Sequence, residues 1–173
     1  GIIDDLKLQY KTGGIALQII FWNIGIAVVL LLLQAFLPVL HAQIMYWLQL
    51  SSLPSELVFK PWTLISYAFV HANFLHLLFN LLILNFASRL FLTFFTQKQF
   101  FGLYILSAIF AGLVFVGAFF LLGIPAPLVG ASAAIMAIVF ASATYAPMYQ
   151  LRLLLIGNVK LWHIAAVFLI LDL

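Results

Sequence analysis

Long apolar runs separated by short polar stretches dominate the chain, and several have the length that lipid requires. A membrane-spanning helix needs roughly 20 predominantly apolar residues. Ile15 to Leu40 meets this, interrupted only by Asn23 and Gln34. His41 to Trp62 breaks the pattern with Tyr46, Trp47, Pro54, Glu56, Lys60 and Pro61. It is predicted to lie on the membrane surface or dip into it. A second span covers Thr63 to Phe95. That is too long for one straight helix, so the part before His71 is predicted as a non-helical lead-in. Phe100 to Leu122 forms a third span. The run from Gly123 to Gly130, with two prolines between its glycines, is a turn. Ala131 to Ala146 is a short fourth span, followed by a loop to Lys160, and Leu161 begins a fifth.

From Leu161 to Leu173 a helix rises only about 20 Å, short of the roughly 30 Å hydrocarbon core. The chain is therefore expected to continue past Leu173, completing this helix and leaving room for another. Asp172 lies deeper in this helix, within reach of a polar partner in that continuation, and its role stays open. A start at Gly1 rather than Met suggests a processed or incomplete terminus. A signal peptide is not expected, because Asp4, Asp5, Lys7 and Lys11 precede an apolar run too long for one.

Composition turns this pattern into a class. Of 173 residues, 67% are hydrophobic and only 6% charged, against about 25% charged in soluble domains. The chain is an integral membrane protein, with the lipid bilayer as solvent and partner. A net charge of +3 is too small to make nucleic acid a partner. The absence of cysteine excludes disulfides, thiolate metal sites and a cysteine nucleophile. Basic residues predict the orientation. With residues 1–14 cytoplasmic, Lys7, Lys11, Arg89, Lys98, Arg152 and Lys160 all fall inside, and only Lys60 outside. Stripes of small residues (Ala133, Ala137 and Ala141; Ala108 and Gly112) predict close helix packing, with the fourth span as the central helix.

Against this background a few polar residues stand out. His71, His76 and Asn80 lie in the outer half of span two, and Ser132 in the outer half of span four. Intramembrane polar groups are costly and mark either function or a packed polar contact. His76 and Asn80 share one helix face. Ser132 follows Gly130 and Ala131 at a helix start, where free N–H groups face any developing negative charge. A serine nucleophile needs a base and oxyanion donors, and the histidine and asparagine suit the second role. The structural alternatives are a serine that caps or turns and polar side chains that tie helices together. His163 is predicted at the opposite membrane face from Ser132, and His163 and His41 are both read as interfacial.

The run His71-Ala-Asn-Phe-Leu-His76-Leu-Leu-Phe-Asn80 resembles the H-x-x-x-x-H-x-x-x-N signature in the second helix of rhomboid intramembrane serine proteases. Gly130-Ala131-Ser132-Ala133 resembles that family's G-x-S-G at the start of its fourth helix. The resemblance implies an all-α polytopic membrane protein, a rhomboid-like bundle with five of six core helices represented. Residues 1–173 would form one C-terminally incomplete domain, with residues 41–62 as the interfacial first loop. It implies Ser132 as nucleophile, His76 and Asn80 as oxyanion stabilisers with the Ser132 N–H, and His71 in support. The family's general base is a histidine of helix six, expected beyond Leu173. Transmembrane proteins would be the substrates, no metal or cofactor is implied, and a bacterial inner membrane is the expected location. Departures are Ala133 for the second glycine, Met136 for an aromatic, and Lys60-Pro61-Trp62-Thr63 where a Trp-Arg motif is common. The alternatives are a catalytically inactive rhomboid-like protein that binds membrane clients, or a transporter component.

Overall fold

A computed structural model describes residues 1–153 and 155–171; Asp172 and its expected partner lie outside the described residues. Helix α1 (Ile2–Thr12) has Asp4 and Asp5 in its first turn and Lys11 in its last, the charge order that suits a helix dipole. One glycine later α2 (Gly14–Phe36) begins. It stops at Leu37, earlier than the apolar run suggests, because Pro38 disfavours helix for the residue before it and opens α3 (Pro38–Leu48) instead. The interfacial segment is thus largely helical: α3, the short strand β1 (Leu50–Ser51) and α4 (Pro54–Phe59).

The lead-in to span two is helical as well, contrary to expectation, but only in single turns. Helix α5 (Thr63–Ser66) passes into a 3₁₀ turn (Tyr67–Phe69). The chain then extends at Val70 before α6 (Phe74–Phe94). Helix α7 (Gln97–Leu122) starts at a Thr96–Gln99 capping box and ends at left-handed Gly123. Strand β2 (Pro127–Leu128) pairs antiparallel with β1, and Ser52 extends this contact to the Ala126 and Ile124 carbonyls. Irregular backbone at membrane depth needs such internal partners. Next comes α8 (Ser132–Tyr145). The following loop is a hairpin of β3 (Gln150–Leu153) and β4 (Gly157–Lys160), leading into α9 (Leu161–Leu171).

Three described helices, α2, α6 and α7, are long and apolar enough to cross a membrane. Helix α8 is shorter and lies at the centre, packed against α6, α7 and α9, as its alanine content predicts. Its buried side is Ala134, Ile138 and Ser142; the stripe Ala133, Ala137, Ala141 is only half-buried. The close approach falls on α7 instead. A Cβ on Gly112 would stand 3.0 Å from both Leu50 and Leu64 side-chain atoms, so that glycine lets β1 and α5 settle onto the bundle.

Lys60 departs furthest from its expected place on the surface. It is 2% exposed, donates to the Tyr46 carbonyl at 2.8 Å, and stands 3.5 Å from the centre of the Tyr46 ring. Glu56 lies 3.5 Å away on its other side. A buried cation needs such compensation.

Candidate active site

The ends of α6 and α8 meet through a few local devices. Asn73 caps α6, its side-chain oxygen accepting the His76 N–H at 2.9 Å. This fixes His76 in the first turn, with its ring turned toward the loop before α8. Gly130 takes φ +115°, a region open chiefly to glycine, and the His76 ring rests against it. A Cβ there would lie 2.8 Å from His76 Cε1 and 2.9 Å from Nε2. The glycine therefore does two jobs: it turns the chain into α8 and lets an imidazole approach the backbone.

His71 reaches the same loop from the other side. Its Nε2 accepts the Ala131 N–H at 3.4 Å. The two imidazoles meet edge to face, centroids 5.0 Å apart. Nδ1 of His76 faces the Ala72 N–H at 3.5 Å, a long contact, and Nε2 lies on the Gly130 side of the ring. One turn further along α6, Asn80 is buried and donates to the His76 carbonyl at 2.8 Å. Asn80 thus joins the group through the backbone of His76.

Ser132 is the first residue of α8, preceded by Ala131 as cap. Its side chain is half-buried and makes no capping bond. The N–H groups of this first turn have no acceptor within the helix and carry the positive end of its dipole. Two imidazoles, at Gly130 and at the Ala131 N–H, and the free N–H groups of the first turn of α8 therefore lie along the backbone that leads into Ser132. That arrangement suits an anionic tetrahedral intermediate. Among the described residues, no cluster of three histidine or carboxylate side chains is placed to hold a metal.

The model of the Rhomboid domain family matches residues 58–173. The chain belongs to the rhomboid family. No curated protein and no solved structure matches it. Rhomboid family members are intramembrane proteases, and the apolar helices make this chain an integral membrane protein.

Two features of this rhomboid chain are not evident from its residue pattern. Tyr67 donates to the Ala108 carbonyl at 2.7 Å, and Tyr104 donates back to the Ala68 carbonyl at 2.9 Å. The Tyr67 carbonyl in turn accepts the Gly130 N–H at 2.9 Å. The segment leading to His71 is therefore clamped to α7 on one side and to the Ser132 loop on the other. His41, expected at the interface, lines with Gln34, Asn73 and His71 a cavity of about 40 Å³ beside the site. His163 stands exposed on the first turn of α9, at the end of the bundle away from Ser132.

Proposed function

We propose that the chain is the core of an intramembrane serine endopeptidase, with Ser132 as its nucleophile. The Ser132 hydroxyl oxygen attacks the scissile carbonyl carbon, and its proton passes to a general base. The resulting oxyanion is held by the Ser132 N–H, by His76 Nε2–H and by Asn80. The carbon–nitrogen bond then breaks, the base protonates the leaving amine, and water hydrolyses the acyl-enzyme. His71 positions the loop by accepting the Ala131 N–H. The base itself is a histidine supplied by a helix following α9. Each oxyanion donor is typically worth about 3 kcal/mol.

The contact of His76 with Gly130 carries this reading, because it sets the imidazole Nε2 against the backbone that leads into Ser132. An apolar groove of about 550 Å³ between α6, α9 and the hairpin, lined by Leu82, Phe86, His163 and Val167 among others, offers a transmembrane substrate a lipid-facing surface toward the His163 end of the bundle. The His71–Asn80 end faces outward, following the distribution of basic residues. Ala133 and Met136, which depart from the family pattern, favour the second reading of a client-binding rhomboid without activity. Labelling the full-length protein with a fluorophosphonate separates the two. A label on Ser132 supports the protease; an unlabelled, folded protein with a bound client supports the second reading.

A further inference from the structure

The corner between α1 and α2 lies outside residues 58–173, the part that matches the family, and it has chemistry of its own. Helix α1 is amphipathic and leaves its apolar residues bare, with Ile3 68% and Leu6 45% exposed. Only Gly13 separates it from α2, a membrane-spanning helix. Helix α1 must therefore lie within a turn of the bilayer surface.

Its angle to α2 is fixed by Tyr10. The carbonyl of Tyr10 accepts Gln18 Nε2–H at 3.1 Å, and its hydroxyl accepts Trp22 Nε1–H at 3.0 Å. Its ring meets Phe21 edge-on at 5.8 Å. Between the two helices this leaves an open cleft of about 280 Å³, walled by Ile3, Leu6, Tyr10 and Phe21 and edged by Lys7 and Lys11. Phe21 stands about 10 Å along α2 from its start, level with the upper acyl chains. Lys7 and Lys11 are one turn apart on one face. Asp4 shares that face and bounds the cationic stretch; Asp5 points away.

We propose that this cleft binds an anionic phospholipid, with its acyl chain on Phe21, Leu6 and Ile3 and its phosphate between Lys7 and Lys11. An apolar floor with paired cations at its rim is the pattern of interfacial helices on anionic membranes. Free phosphate would leave the apolar floor uncovered, so the ligand is the lipid and not its headgroup alone.

The test is native mass spectrometry of the full-length protein, offered phosphatidylglycerol and phosphatidylcholine in competition. The wild type retains phosphatidylglycerol in preference. The double variant K7Q/K11Q loses that preference by about fivefold for each lysine removed, while R152Q, an exposed change on the hairpin, keeps it. Equal preference in K7Q/K11Q and wild type would overturn the proposal. So would displacement of the bound lipid by soluble glycerol phosphate.

Discussion

The His76 ring lies so close to Gly130 that a single methyl group cannot be placed between them; its carbon would stand 2.8 Å from His76 Cε1. Gly130→Ala must either push His76 out of the site or move the start of α8. The left-handed backbone adds a strain of about 1–3 kcal/mol. We expect cleavage to fall at least about 100-fold, the loss of one oxyanion donor, with the protein still folded in detergent. Wild-type turnover by Gly130→Ala would show that the contact does not matter.

In the proposed mechanism His71 holds the loop through the Ala131 N–H and does not touch the reacting atoms. Removing it in His71→Ala leaves the Ala131 N–H without its acceptor, a cost of about 1–3 kcal/mol. Turnover should drop while substrate KM stays nearly constant, because the damage is to the geometry around Ser132. A change confined to KM would place His71 in substrate binding instead.

Tyr67 and Tyr104 are expected to act as a pair. Each phenylalanine substitution removes one buried hydrogen bond, worth about 0.6 to 1.7 kcal/mol within a membrane. Because both bonds tie the same segment to α7, the double variant should lose less than the sum of the two. Unfolding titrations of the four proteins in mixed micelles measure this directly. Strict additivity would mean that the two bonds do not form one clamp.

Lys60→Met keeps the bulk of the side chain but loses its charge, its bond to the Tyr46 carbonyl and its contact with the Tyr46 ring. A desolvated cation–aromatic contact is worth about 2 kcal/mol. The interfacial segment should loosen, lowering the unfolding midpoint and raising quencher access to Tyr46 and Trp47 above that of the wild type, where each is already 45% exposed. An unchanged midpoint would place Lys60 among the many cations that contribute little.

The legible parts of this molecule were those governed by lipid and by fixed spacing. Apolar runs gave away α2, α6 and α7, and helical spacing put His76 and Asn80 on one face of α6. The end of α2 was harder, since Leu37 to Leu40 is as apolar as the helix before it and only Pro38 marks the break. Tyr67 and Tyr104 were hidden because a tyrosine within an apolar run reads as one more aromatic until its hydroxyl finds a carbonyl. Lys60 misled for the opposite reason: a lysine beside Pro61 and Trp62 looks like a surface anchor, and its burial depends on Tyr46, which lies on a different helix. Pairing of β1 with β2 joins segments more than seventy residues apart, and two-residue strands leave no periodic trace.

The claim at the centre of this account is that Ser132 does the chemistry. It is tested by reconstituting the full-length protein in liposomes with a transmembrane substrate and comparing wild type with Ser132→Ala. Cleavage is expected from the wild type and none above background from the variant, with equal amounts of folded protein in both. Equal cleavage by the two would contradict it.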